Sequence, residues 1–253
     1  MTREELEHVL AAVLDVGEMM LTSGAEVNRV ENTIQRMMQA YGCNRVDVFT
    51  IPSNIVVSVQ TAGDAVLSQT RRIVGFETDM YKIERCNALS RRVCADPPTL
   101  QELKNVVEEI KQEKGYSRLT KFITYGVISA AFSVFFGGTW LDGVAAFVCG
   151  LLLYVSVEAC GRLKVQRIIL NILCSAIVGL GAVLLTYLGI GQSVDKIIIG
   201  NIMLLIPGIA LTTSVRDMIS GDTVSGMLGL CEALIRALAI AAGFALVLWQ
   251  FPV

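Results

Sequence analysis

The chain is poor in the residues from which catalytic and metal sites are usually built. It has one histidine, His8, on the first predicted helix, where a solvated side chain is expected. Its seven cysteines (Cys43, Cys86, Cys94, Cys149, Cys160, Cys174 and Cys231) show no Cys-x-x-Cys spacing. Neither a disulfide framework nor a metal site is expected, and the cysteines in apolar segments should pack as small hydrophobes. No Walker loop, Gly-rich dinucleotide turn or nucleophile elbow occurs, so no cofactor and no catalytic residue is expected. The Gly-x-Gly-Asp motif of an intramembrane aspartyl protease also fails, because Ile219 stands where its first glycine should be. Met1 to His8 lack the basic, apolar and small-residue run of a signal peptide, which predicts a cytoplasmic N-terminus. The basic doublets Arg71-Arg72 and Arg91-Arg92 have no interleaved aromatics, and the net charge is −2, so nucleic acid is not an expected partner. These doublets read as solvated faces or as groups lying against lipid headgroups.

Charge is scarce as well, and unevenly so. Only 17% of the 253 residues are charged against 53% hydrophobic, with mean hydropathy +0.59, too apolar for an ordinary soluble domain. Residues 1–118 hold 14 of the 21 Lys and Arg and 17 of the 23 Asp and Glu, leaving 13 charged residues for the rest. This predicts a cytosolic domain over 1–118 and a membrane domain over 119–253.

The first part reads as α+β. Leu6, Val9, Leu10, Val13, Gly17 and Met20 recur at helical spacing, and Ser23-Gly24 stops that helix. A second helix carries Val27, Val30, Ile34, Met37 and Tyr41 on one stripe and stops at Gly42. The period then changes to two in RVDVFTIP, NIVVSVQT and AVLSQTRRIV, with a turn at Ala62 to Asp64, which predicts a three-stranded antiparallel sheet. Helical pattern returns from Thr78, and the capping box Thr99-x-x-Glu102 opens another helix after Pro97-Pro98.

Five apolar stretches follow near 119–137, 142–160, 168–188, 197–214 and 227–249, each close to the roughly 20 residues that a bilayer core of about 30 Å requires. Arg118 and Lys121, then Arg162, Lys164 and Arg167, then Arg216, border these stretches on one side, while the opposite loops hold only Lys196. Basic residues are retained on the cytoplasmic side, so the N-terminus is expected inside and the C-terminus outside. Trp140, Tyr187 and Trp249 fall at the predicted outer ends, where aromatic rings sit at headgroup level.

Polar groups at membrane depth are costly and mark either interhelical clamps or a transport path. Glu232 and Arg236 lie i, i+4 on the fifth stretch, Asn171 and Asn201 lie on the third and fourth, and Glu158 ends the second beside Arg162. Both readings stay open for Glu232 and Arg236. Pro207 lacks an N–H and collides with the preceding turn, so the fourth stretch should kink or break near Ile206 to Gly208. Broken helices often build substrate sites in secondary transporters. Arg216-Asp217 and Gly221-Asp222 follow, then Ser225-Gly226 at the start of the fifth helix, where Asp222 or Thr223 can cap the helix and its positive end can attract an anion.

Several blocks in order carry a family likeness. PGIALTTSVRDMISGDTVSGMLGLCEALIRALAIAAG resembles the signature of the threonine/serine exporter family, a P-G, R-D, G-D-x-x-S-G and E-A pattern. LTSGAEVNRVENTIQRMMQAYG, VFTIPSNIVVSV and TDMYKIERCNALSRR resemble the same family's N-terminal portion. Pro207, Gly208, Arg216, Asp217, Gly221, Asp222, Ser225, Gly226 and Glu232 match the membrane motif; Gly24, Ala25, Glu26, Arg29 and Glu31 match the N-terminal one. In one departure, Gly229-Leu230-Cys231 precede Glu232 where relatives often carry a basic residue, which leaves local charge balance to Arg236.

The resemblance implies a bacterial inner-membrane exporter component, an α-helical membrane protein with five transmembrane helices and an N-terminal α+β domain. In this family a second membrane domain is either fused or a separate small protein. Because the sequence reaches Val253 soon after its fifth stretch, it reads as the larger subunit of the two-protein form, expected to need a membrane partner of about four spans. Threonine and serine, or in the split pair a dicarboxylate such as succinate, are the implied substrates, and an oligomer is compatible with this. Arg216 or the amino end of the fifth helix would bind substrate carboxylate, while Asp217, Asp222 or Glu232 would carry a proton or the substrate's cationic group. The alternative is a membrane-anchored sensor or scaffold with a ligand-binding cytosolic domain, in which the polar membrane residues act only as clamps.

Overall fold

A computed structural model describes residues 2–60, 66–113, 115–162 and 166–251. In chain order its elements are α1 (Arg3–Thr22), α2 (Val27–Ala40), β1 (Arg45–Ile51), β2 (Asn54–Gln60), β3 (Val66–Arg72), α3 (Met80–Ala95), α4 (Leu100–Gln112), α5 (Arg118–Phe135), α6 (Trp140–Arg162), α7 (Arg167–Tyr187), α8 (Val194–Leu205), α9 (Gly208–Ile219) and α10 (Thr223–Gln250). The helix starts follow local capping chemistry. Thr2 with Glu5, and Thr99 with Glu102, form complete capping boxes, and Asp79 and Ser117 accept from the first turns of α3 and α5. The turn expected at Ala62 to Asp64 lies outside the described residues.

The chain forms two compact units, Met1–Lys114 with Gly208–Cys231, and Gly115–Pro207 with Glu232–Val253. In the first unit the stripe of α1 packs on that of α2, and Gly17 lets the helices close up, since a Cβ there would sit 2.6 Å from Ile34 Cδ1. Leu103, Val107 and Ile110 of α4, and Cys86, Leu89 and Val93 of α3, join the same core. The three strands form an antiparallel sheet in the order β1-β2-β3, with a two-residue Pro52-Ser53 turn between Ile51 and Asn54. Ile55, Val57 and Val59 face the core, as strand alternation requires.

That alternation corrects the reading of the Arg71-Arg72 doublet. Arg71 is paired with Ile55 across the sheet and so lies on the inward face, where it meets Asp15 at 2.6 Å and Glu18 at 3.4 Å on α1. Arg72, one residue on, is exposed. At the end of α1, Gly24 takes φ +97°, with its amide bonded to Leu21 O and that of Ala25 to Met20 O. This pair of bonds is a Schellman cap, whose left-handed residue is strained for anything but glycine.

The second unit is helical. Among the described residues α6, α7 and α10 are long and apolar enough to cross a membrane, and α8 with α9, broken at Pro207, makes a fourth if counted together, although α9 and the start of α10 belong to the first unit. α5, expected as the first span, does not reach that standard: its 18 residues include Arg118 and Lys121 in the first turn. Trp140, Tyr187 and Trp249 are all exposed. Small residues set the packing. A Cβ at Gly150 would lie 2.6 Å from Tyr125 O, and one at Gly200 would collide with Ser129 O, so α6 and α8 both approach the α5 backbone closely.

Two buried polar side chains fasten this unit. Asn201, fully buried on α8, donates to Ala146 O on α6 and Ile197 O, and accepts from Ser129 Oγ on α5. Asp142, also fully buried, accepts from the Thr139 amide and hydroxyl at 2.7 Å through Oδ2, and from the Gln192 and Ser193 amides at 2.6 and 2.9 Å through Oδ1. One carboxylate thus caps α6 and pins the loop that enters α8. Replacing Asp142 with Ala strips two loop amides of their acceptor, and the expected loss is about 3 kcal/mol. Thermal unfolding of the purified protein in detergent checks it, with Asn171→Ala as the mild comparison.

Candidate functional site

The motif residues at the start of α2 and those of α9 and α10 lie in the same compact unit. Glu26 occupies the N-cap position of α2 but its side chain makes no capping bond. The Val27 amide instead donates to Asp217 Oδ1 at 3.1 Å, a buried bond between residues 190 apart. A carboxylate is well placed at a helix N-terminus, where the first amides are unpaired and the helix dipole is positive. Glu26 turns to Arg216 and forms an ion pair with it. The Gly24 turn lies against the same helix, with Ile209 Cγ2 3.9 Å from where its Cβ would be. Adjacent residues Arg216 and Asp217 therefore grip adjacent residues Glu26 and Val27.

One turn further along α2, Glu31 Oε1 accepts from the Thr50 amide of β1 at 2.7 Å. The Thr50 carbonyl accepts from Ser225 Oγ at 2.6 Å, which ties the first turn of α10 to the same strand residue. Burial is the largest influence on the Glu31 carboxyl and pushes its pKa above the ordinary carboxylate value. The Thr50 amide opposes that rise, while the negative charges of Asp222 and Asp217 add to it. Asp222 stands where it could cap α10, yet its side chain makes no capping bond, and Oδ2 is buried without a partner among the described residues.

Backbone geometry explains the glycines of this stretch. Gly221 takes φ +104° and closes α9, with its amide on Met218 O and that of Asp222 on Asp217 O. A Cβ at Gly226 would lie 2.5 Å from both Ser214 O and Met218 Cγ, so α10 crosses α9 with backbones nearly touching. At Gly208 a Cβ would meet nothing within 4 Å.

The structure therefore brings together Gly24, Glu26, Glu31, Arg216, Asp217, Asp222 and Ser225. It does not bring Arg29, which is exposed on α2 with no ion pair among the described residues. Asn201 lies in the helical unit as a clamp, and Pro207 marks the break between α8 and α9. Glu232 pairs with Arg236 at 3.5 Å on α10, also in that unit, and its side chain is 51% exposed. Sequence reading missed Thr50 and Asp142. An inward strand threonine carries no signal of its own, whereas Thr139-x-x-Asp142 is a capping pattern visible in the sequence. Among the described residues no group of three His, Cys, Asp or Glu side chains is placed to hold a metal ion.

A family model described as a putative threonine/serine exporter matches residues 11–250. The chain is 26% identical over 243 residues to a probable threonine/serine exporter of Mycobacterium tuberculosis, covering 93% of this chain and 45% of that protein. It is 21% identical over 238 residues to a threonine/serine exporter of Corynebacterium glutamicum, covering 91% and 49%. The chain thus spans about half the length of the curated relatives it matches. No solved structure matches.

Two outcomes follow. Gly226→Ala should destabilise by about 2 kcal/mol through overpacking against backbone, while Gly208→Ala should fold as well as wild type; paired melting curves test the contrast. Because the folded state favours the protonated Glu31 carboxyl, this group's stabilisation is full below the ordinary carboxylate value of 4.5 and is lost as pH rises above it. Glu31→Gln keeps an acceptor for the Thr50 amide and removes the charge, so its melting temperature should fall less with rising pH than that of wild type.

Proposed function

The chain belongs to the threonine/serine exporter family, and on that premise we propose that it is a subunit of a secondary exporter of small polar acids in a bacterial inner membrane. Threonine and serine are the leading substrates, with a dicarboxylate such as succinate as the other class that a cationic site accepts. The observation that carries this reading is the grip of Arg216 and Asp217 on Glu26 and Val27. It joins the two family motifs, far apart in sequence, into one cluster of charge directly after a helix broken at Pro207.

On this reading there are five spans, α5, α6, α7, the α8–α9 pair and α10, with Arg118 and Lys121 of α5 reaching to the headgroups. The N-terminus is cytoplasmic and the C-terminus outside, as the basic loops direct. On this reading the chain works with a small membrane partner of about four spans. Half-exposed Glu232, on a helix apolar enough to span, supports a protein neighbour there, since a lipid-facing charge is costly. A sensor or scaffold is the second reading, favoured by the share of the cluster that lies in the α+β part.

Transport in inverted membrane vesicles containing this chain and its partner decides between them. Wild type should accumulate labelled threonine or succinate under an imposed gradient, and the Arg216→Ala, Asp222→Ala double variant should fall to background. Wild-type rates in the double variant would remove both residues from the transport path. No gradient-driven movement of any amino or dicarboxylic acid by wild type would favour the sensor.

A further inference from the structure

Two guanidiniums from different helices meet on one carboxylate where α5 begins and α6 ends. Arg118 Nη2 lies 3.6 Å from Glu158 Oε1, and Arg162 Nη2 lies 3.4 Å from the same oxygen. Both contacts are long for a charged pair, and the arginine side chains are 78% and 67% exposed. A guanidinium carries five donors, so one carboxylate leaves most of the donors here without an acceptor. Lys121, in the same turn of α5 as Arg118, is exposed and makes no ion pair among the described residues. Three cationic side chains thus surround a single anion, and the patch stays positive.

Packing within this unit fixes the two helices beside each other. A Cβ at Gly126 would lie 2.7 Å from Phe147 Cε2, and one at Gly150 would lie 3.0 Å from Gly126 Cα, so α5 and α6 run almost backbone to backbone. Phe122 follows Arg118 by one turn, and Tyr154 precedes Glu158 by one turn. Their rings meet edge-on at 5.8 Å, and Tyr154 meets Tyr125 at 5.3 Å. On these turns Leu119, Ile123 and Val155 are exposed and apolar. Along either helix the order is cation, aromatic ring, apolar surface.

A phospholipid presents the complementary order of phosphate, glycerol and acyl chain. We propose that the seam between α5 and α6 binds an anionic phospholipid, with the phosphodiester on Arg118 and Arg162 and the chain along Phe122 and Tyr154. A soluble anion uses the charges but gains nothing from the exposed apolar surface one turn away. A choline headgroup brings a further cation to a patch already positive, so the site selects lipids of net negative charge. Glu158 is the counter-charge that holds the arginines together in the empty site, and the lipid phosphate competes with it. Only the placement of this seam at a bilayer rests on the exporter reading.

Native mass spectrometry of the full chain in detergent tests this by titration with phosphatidylglycerol and with phosphatidylcholine of the same acyl chains. Wild type should bind phosphatidylglycerol about ten-fold or more tighter, as expected for two arginines at an anionic headgroup. The Arg118→Gln, Arg162→Gln double variant should lose that preference and keep wild-type affinity for phosphatidylcholine, which also shows that it is folded. Glu158→Gln frees both arginines and should tighten phosphatidylglycerol binding, whereas a carboxylate that served only to join the helices would weaken it when removed. Lys104→Gln, which removes an exposed charge on α4, should change nothing.

Equal affinity of wild type for the two lipids, an unchanged preference in the double variant, or weaker phosphatidylglycerol binding by Glu158→Gln would each overturn the proposal. Displacement of the lipid by soluble glycerol phosphate would also overturn it, by assigning the patch to a soluble anion. Vesicle transport separates it from the exporter reading. Threonine export by wild type without a lipid preference keeps the exporter and removes the site, and a lipid preference without transport keeps the site and removes the exporter.

Discussion

The first amide of α2 has no local acceptor, and the acceptor it finds is Asp217, 190 residues away. Much of the site follows from that one bond. A helix must satisfy its leading N–H groups, and the usual means is a Ser, Thr, Asp or Asn side chain at the cap position. Here that position holds Glu26, whose carboxylate is turned to Arg216. The helix is left to be capped from α9, and α9 is thereby held on the α+β part of the chain.

The rest of the motif makes that arrangement sterically possible. Pro207 cannot carry the ladder of α8 onward, so α9 starts afresh and packs with the N-terminal residues in one unit. Gly24 supplies the left-handed turn that delivers Glu26 and Val27, and Gly221 supplies the one that reverses the chain after α9. Gly226 lets α10 cross α9 in contact with its backbone, and Ser225 bonds to Thr50 O. The negative charges of Asp217 and Asp222 act together on the Glu31 carboxyl of this cluster.

Much of the local structure was legible in the sequence. The capping boxes, the change of period from helix to strand and the break at Pro207 each depend on residues a few positions apart. Long-range pairings were not legible, because periodicity tells which face a residue occupies and says nothing of what meets that face. Arg71 looked like half of a solvated doublet until strand register put it against Asp15 and Glu18. Asn201 reads from the sequence only as a polar group at membrane depth; its three bonds to α5, α6 and its own helix make it a clamp. The family motif named Glu26, Glu31, Arg216 and Asp222 as a set, but only the fold shows that Asp217 caps a helix and that the charge of Asp222 acts on Glu31. α5 is the reverse case: its apolar stretch reads as a span, yet two basic residues in its first turn keep it below the standard that α6, α7 and α10 meet.

Hydrogen exchange at the start of α2 probes the capping bond most directly. In the wild-type protein the Val27 amide and the turn that follows it should exchange slowly, and in Asp217→Ala that protection should fall while α1 and α4, which carry their own capping boxes, keep theirs. Asp217→Asn, which retains an acceptor oxygen, should keep most of the protection and shows that the alanine variant's loss is not general unfolding. Unchanged exchange at the start of α2 in Asp217→Ala would contradict the account.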